Sequence, residues 1–369
     1  MTSWFLLGLG LGVLVVGAEL LVRGASSLAA RFGISPLVIG LTIVAFGTSS
    51  PEIAVSLGAV AEGQSDLALG NAVGSSTFNA LFILGTTALI APLVVHQKLV
   101  RIEVPLIILA GLALWVMLLD GSLSRLDGVI LLAGIVAYTG FAIRSSRRET
   151  SAVKSEYAQT CERAKRPGLS RSISLIVAGL VLAVLGAGWL VDGAVSIAES
   201  MGISELVIGL TIVAAGTSLP EVATSVVAAI RGQRDIAVGN VLGSNLFNIL
   251  AILGLAGIFA PHGLPASPAL MSFDLPVMIA VSVACLPIMF TGFRINRWEG
   301  ALFLIAYASY VAYLVLDAAN HESLEGFSAV ALWFGLPLAT LGIALSAAHA
   351  IGRTPSPQSE SAEVDKAAP

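Results

Sequence analysis

The chain is poor in the residues from which most protein chemistry is built. Of its 369 residues only 11% are charged, two are cysteine and four are histidine. Soluble domains carry roughly 25% charged residues, so a water-facing surface of ordinary extent is excluded. Cys161 and Cys285 stand far apart, and with His96, His262, His321 and His349 they fall into none of the spacings that build a disulfide framework or a zinc or iron site. Lys and Arg are absent from Met1 to Val22. A cleavable leader needs a basic start, so the first apolar stretch is expected to remain as a helix.

What the chain has instead is hydrocarbon, 56% hydrophobic residues and a mean hydropathy of +0.93. A bilayer crossing takes about 20 predominantly apolar residues. Eleven such stretches lie near 3–22, 36–61, 69–91, 103–119, 124–143, 172–192, 205–230, 239–260, 272–292, 297–316 and 327–351. An odd number puts the termini on opposite sides. With this count, 18 of the 19 basic residues fall on one side, Arg125 alone on the other, and cytoplasmic loops are the ones enriched in Lys and Arg. The chain is therefore expected to be a multi-pass protein of the cell (inner) membrane, N-terminus outside and C-terminus cytoplasmic.

A repeat organises the stretches. ISPLVIGLTIVAFGTSSPE at Ile34–Glu52 and ISELVIGLTIVAAGTSLPE at Ile203–Glu221 agree at sixteen of nineteen positions. The same offset of 169 residues relates Gly17 to Gly186, Gly24 to Gly193, and GNAVGSSTFN at Gly70 to GNVLGSNLFN at Gly239. Five crossings separate equivalent helices, so the second copy enters the membrane inverted. Inverted repeats of this kind build secondary transporters whose substrate sits near the bilayer midplane. The fold class expected is all-α and polytopic, two inverted five-helix repeats with one additional C-terminal helix. The expected boundaries are 1–143 for the first repeat, 144–171 for a basic cytoplasmic loop, 172–316 for the second repeat, 317–352 for the additional helix and 353–369 for a disordered tail.

Two carboxylates carry the chemistry. Glu52 and Glu221 occupy equivalent places in apolar helices that contain no Lys or Arg, where an unpaired acid costs about 2.5 kcal/mol or more. A bound cation would compensate them. Each follows a proline, Pro51 or Pro220, whose missing N–H leaves the carbonyl of Gly47 or Gly216 without its helical partner. Thr48 precedes Glu52 by four residues and Thr217 precedes Glu221 by four, a spacing that places hydroxyl and carboxylate on one face of a continuous helix. Ser75 with Asn79 and Ser244 with Asn248 repeat the spacing on the next helix of each copy. All these groups offer oxygen, which hard cations prefer, and calcium accepts six to eight such ligands in flexible geometry. Two glutamates balance one calcium ion, and sodium ions could compete for the same pair. Glycine in such helices also serves close packing, and Gly40, Gly47, Gly209 and Gly216 are open to that reading. Glu19 differs, since its counterpart Gly188 is not acidic, and it is expected at the membrane interface.

The paired GTSSPE and GTSLPE motifs, with GSSTFN and GSNLFN downstream, resemble the two alpha-repeats of the cation/calcium antiporter superfamily, and most of all its prokaryotic sodium/calcium exchanger branch. The similarity spans about residues 1–316. It implies a calcium site of Thr48, Glu52, Thr217 and Glu221. It further implies sodium sites that use Glu52 and Glu221 together with the carbonyls of Ala45 and Ala214 and with Ser49, Ser75, Ser218 and Ser244, while Asn79 and Asn248 line the centre. Potassium-dependent members carry aspartate where Asn248 stands, and proton/calcium exchangers have a different motif in place of GTSxPE. Transport without a cofactor is expected, with sodium and calcium ions and the lipid bilayer as the only partners and no nucleic acid. An intramembrane hydrolase is disfavoured because no histidine lies at helix depth to act as base.

Overall fold

The computed structural model describes residues 2–97, 99–147, 168–201, 208, 212, 214–290, 292–319, 321 and 323–330. Most of the basic loop, Gly209 and the first part of the seventh crossing, the eleventh crossing beyond Val330 and the C-terminal tail lie outside the described residues.

The described chain is helical. In order it forms α1 (Thr2–Phe32), α2 (Pro36–Thr48), α3 (Ser50–Ala61), α4 (Ser65–Ile90), α5 (Leu99–Asp120), α6 (Arg125–Arg147), α7 (Leu169–Ser200), α8 (Leu219–Ile230), α9 (Arg234–Phe259), α10 (Leu270–Phe290), α11 (Arg297–Ala318) and α12 (Ser323–Val330). Among the described residues eight helices are long and apolar enough to cross a membrane, and α2 with α3, bent by 45°, makes a ninth. The chain is a multi-pass membrane protein. The 169-residue offset of the sequence carries into the fold, for α8 and α9 begin and end where α3 and α4 would if shifted by that amount.

Burial grades from the centre outward. Of the most apolar stretch of α9, 89% is buried, against 6% for α11, most of whose side chains are only partly covered. Helices α4 and α9 thus form the inner layer, joined to α2, α5 and α10 in one continuous apolar core. In lipid this grading has a physical reason, because apolar side chains gain nothing by leaving hydrocarbon and association rests on close packing and polar contacts instead.

Two short clips close the fold. Strand β1 (Leu93–Val94) pairs antiparallel with β4 (Arg294–Ile295), and β2 (Ser122–Leu123) with β3 (Leu264–Pro265). Each clip joins one half of the chain to the other and satisfies backbone groups where the helices end.

Helices α1 and α7 are longer than the apolar stretches from which they were expected, reaching 31 and 32 residues. The polarity that marked an end in sequence lies instead on helical turns, with Glu19, Arg23 and Arg31 on α1 and Asp192 and Glu199 on α7. Glu19 is consequently well inside a helix. The pair runs antiparallel with backbones in contact: a Cβ on Gly17 would lie 2.4 Å from the Ala183 amide nitrogen, and one on Gly186 2.4 Å from that of Leu14. Only glycine permits such an approach. Ser3 bonds Ser196, and Ser27 bonds Ser172, each at 2.8 Å. These serines are repeat equivalents of one another, so the α1–α7 pair carries its own two-fold symmetry.

Candidate functional site

The site is built on two helix breaks. Thr48 is the last residue of α2, Ser49 leaves helical geometry at ψ 8°, and α3 starts afresh at Ser50 with Pro51 in its first turn. On the other half Ser218 does the same at ψ 6°, and Pro220 enters the first turn of α8. The two prolines therefore open new helices, a position where the missing N–H is no loss, rather than bending a continuous one at Gly47 and Gly216. Thr48 and Glu52 consequently do not share a face of one helix. The two glycines serve packing, since a Cβ on Gly47 would meet Leu180 at 2.7 Å and one on Gly216 would meet Val191 at 2.6 Å, both side chains of α7.

Each break sets its glutamate in the first turn of a helix, where the exposed N–H groups and the helix dipole favour negative charge. Ser49-Ser50-Pro51-Glu52 and Ser218-Leu219-Pro220-Glu221 have the pattern of a capping box, in which serine and glutamate cap their own helix. Here neither serine makes that cap. The Ser218 hydroxyl donates to Glu52 Oε1 at 2.8 Å, and the Ser49 hydroxyl to Glu221 Oε1 at 3.1 Å. The capping partners are exchanged between the two halves of the protein, which brings the carboxylates together across the repeat interface. Thr217 faces Glu52 and Thr48 faces Glu221 in the same crossed sense.

Both acids are almost completely buried. No Lys, Arg or His pairs with either among the described residues. Among the described residues, one oxygen of each, Glu52 Oε2 and Glu221 Oε2, has no hydrogen-bond partner. The same holds for Asn79 Oδ1, Asn248 Oδ1, Thr217 Oγ1 and Ser244 Oγ. Buried polar atoms normally find partners. Unpaired oxygens on the residues that sequence had selected, with no cation from the protein to meet them, suit a desolvated metal ion.

Other expected residues are placed as follows. Ser75 and Ser244 are buried on α4 and α9. Asn79 and Asn248 stand in π-helical turns, Asn79–Ile83 and Phe247–Ile252, the kind of local widening that often re-aims a side chain at a functional site. The Asn248 amide reaches Ser76 Oγ at 3.4 Å, tying α9 to α4. The Ala45 carbonyl accepts the Ser49 N–H at 3.0 Å; at the other break the Ser218 N–H reaches the Ala215 carbonyl at 3.2 Å.

Two asparagines were missed by the reading of the sequence. Asn71 on α4 donates to the Glu52 carbonyl at 3.1 Å and to Ser56 Oγ at 2.9 Å. Its counterpart Asn240 on α9 donates to the Glu221 carbonyl at 3.5 Å and to Ser225 Oγ at 3.0 Å, and accepts from the Thr48 hydroxyl at 3.1 Å. These braces fix the first turn of each glutamate helix. The signal was available, for both stand in the GN pair that opens the GNAVG and GNVLG segments, with Ser56 and Ser225 as a matching second pair.

A model of the family described as sodium/calcium exchanger protein matches residues 2–144 and 171–316. The inner membrane protein YrbG of Escherichia coli is 41% identical over 282 residues, 75% of this chain and 86% of that protein. The sodium/calcium exchanger MaX1 of Methanosarcina acetivorans is 33% identical over 346 residues, 85% and 98% respectively. A solved structure of the sodium-calcium exchanger NCX_Mj, soaked with sodium and strontium, superposes with a TM-score of 0.72 at 33% identity, covering 84% of this chain and 98% of its own. Both halves that carry the duplicated glutamates are matched, and the chain belongs to the sodium/calcium exchanger family of the cation/calcium antiporter superfamily.

Proposed function

We propose that the chain exchanges sodium for calcium across the membrane by alternating access, with Glu52 and Glu221 as the ligands both ions share. The observation that carries this reading is the crossed pairing of two buried acids, each bonded by the other half's serine and each left with one unpaired oxygen. Two carboxylates in a low-dielectric site repel one another and favour any arrangement that brings in positive charge. One calcium ion neutralises the pair. Thr48, Thr217 and the two glutamates would hold it. Sodium ions would take Glu52 and Glu221 with Ser49, Ser75, Ser218, Ser244 and the Ala45 and Ala214 carbonyls, Asn79 and Asn248 lining the centre.

Because the ion sets use the same charges, one must leave before the other enters, which is the requirement for antiport. The neutralised site can face either side; the empty, doubly charged one resists crossing a hydrophobic closure. The N-terminus is assigned to the outside and the 144–171 loop to the cytoplasm, on the distribution of basic residues. Residues 1–143 and 172–316 act as the two repeats, with 317–352 as an addition to them.

The test is radioactive calcium uptake into proteoliposomes under an imposed sodium gradient. Uptake that follows the sodium gradient and vanishes with it is the expected result. Calcium uptake indifferent to sodium and driven instead by a proton gradient would overturn the coupling, and no calcium movement under any gradient would overturn the substrate.

A further inference from the structure

The α1–α7 pair is symmetric within itself but is not seated symmetrically on the rest of the molecule. Helix α1 packs along α8, where Leu14, Ala18 and Ala223 share one apolar cluster, whereas α7 has no comparable packing along α3, the equivalent pair. On α7 the position equivalent to Glu19 is Gly188, and a Cβ built there meets no atom of the described residues within 4 Å. The interlocked glycines and the two Ser–Ser bonds leave the pair free to shift only as a body, so a difference in seating is a difference in which mouth is closed.

Charge differs between the two mouths in the same sense. At the end of α8, Glu19 receives Arg231 through both carboxylate oxygens, Nη2 to Oε1 at 2.7 Å and Nε to Oε2 at 2.9 Å, and it also pairs with Arg23 one turn along α1. Shifted by one repeat, these three residues become Gly188, Asp192 and Glu62. Where one mouth has an acid between two guanidinium groups, the other has two exposed acids and a glycine. Bringing α7 against α3 as closely as α1 lies against α8 would move Asp192 toward Glu62, like charge toward like, and among the described residues nothing there replaces the bidentate bond.

We infer that Glu19 is a positioning residue for exchange, latching α1 to Arg231 and closing that mouth, while Asp192 and Glu62 hold the opposite mouth apart, so that the protein rests facing outward. The inference rests on the alternating-access reading above and adds the origin of its resting state. The closed mouth is the cytoplasmic one by the distribution of basic residues. Ion pairs of this kind are weak when exposed, but a weak contact present at one mouth alone is sufficient to set a ratio between two otherwise equivalent states.

The test uses the full chain in lipid nanodiscs, with Cys161 and Cys285 replaced by alanine and nitroxides placed in pairs. One pair, at Phe32 and Arg234, reports the latched mouth, and the other, at Gln64 and Met201, reports the opposite mouth. Pulsed electron resonance distances are measured without sodium or calcium. The substitution Glu19→Gln should raise the fraction with the first distance long and the second short about fivefold. Transplanting the latch, Gly188→Glu with Asp192→Arg and Glu62→Arg, should raise the same fraction in a protein whose Glu19 is intact. Unchanged distances in both variants overturn the latch, and so does a transplant that leaves the second distance long while Glu19→Gln acts by loosening α1 alone. Sodium-driven calcium flux in the native chain is measured beside these samples. Its absence would remove the transport reading and leave the distance result to stand or fall separately.

Discussion

The two halves of the chain are nearly interchangeable at the glutamates and unlike at the mouths. Around Glu52 and Glu221 every working group has its double: serine for serine, threonine for threonine, and asparagine braces at the same separation. At the ends of α3 and α8 the doubling fails, with Glu62 in one copy and Arg231 in the other. An ion bound between the glutamates, as proposed, would meet both halves at once, and two equal acids would serve it symmetrically. In alternating access the mouths would meet different solutions at different times and would have no reason to match. Under the proposed function, symmetry falls where the ion would bind, and under the latch inference, asymmetry falls where the resting state would be set.

Breaking the symmetry at the centre should have the largest effect. Glu52→Gln or Glu221→Gln keeps the shape and removes one of two charges, and calcium flux in proteoliposomes is expected to fall about a hundredfold or more, since a charge in a low-dielectric site is worth several kcal/mol to a bound ion. A variant retaining more than a tenth of native flux would show that the lost carboxylate is not a shared ligand. The comparison sharpens one layer out. Outer-layer braces typically contribute ten- to a hundredfold to metal affinity, so Asn240→Ala and Asn71→Ala should raise the calcium concentration for half-maximal flux by about tenfold or more. Asn240 is expected to matter more, being fully buried and holding Thr48 as well, whereas Asn71 is only half-buried.

Removing an exchanged serine is milder. Hydrogen bonds to charged groups contribute about 1.5–3 kcal/mol, so Ser218→Ala and Ser49→Ala should each weaken calcium binding about tenfold, measured by competition with a reporter cation, with the shorter Ser218 bond the costlier to lose. Equal binding in native and variant proteins would show the crossed bonds to be incidental. The smallest effect expected is on stability. Gly17→Ala drives a methyl into the α7 backbone and should destabilise by about 1–3 kcal/mol, seen as a lower melting temperature in detergent, while Gly12→Ala, which meets open space, should leave it unchanged.

The glutamates were legible because intramembrane acids are rare and these two recur with an identical spacing. The break beside them was legible in part. Proline signalled irregular backbone, but a proline in the first turn of a new helix and a proline bending an old one look alike in sequence; only Ser49 and Ser218 leaving helical geometry distinguishes them. From that ambiguity came the expectation that Thr48 would sit beside Glu52, when the break turns it toward Glu221. The asparagine braces were overlooked because an amide in a Gly-rich helix carries no charge penalty to draw notice. The pairing of Glu19 with Arg231 went unread because its partner lies 212 residues away.

Composition and repetition alone determined that this chain lives in a membrane, that its helices come in two copies of one pattern, and that the two copies place acids at matched positions in apolar surroundings. Those properties follow from solvent transfer and from counting, and both act on residues without regard to their neighbours. Tertiary structure decided which half's serine serves which glutamate, which asparagines hold them, and which arginine meets Glu19. Those are contacts between residues far apart in the chain, and no local pattern fixes them, because a hydroxyl or a guanidinium bonds whatever the packing of distant helices brings within about 3 Å.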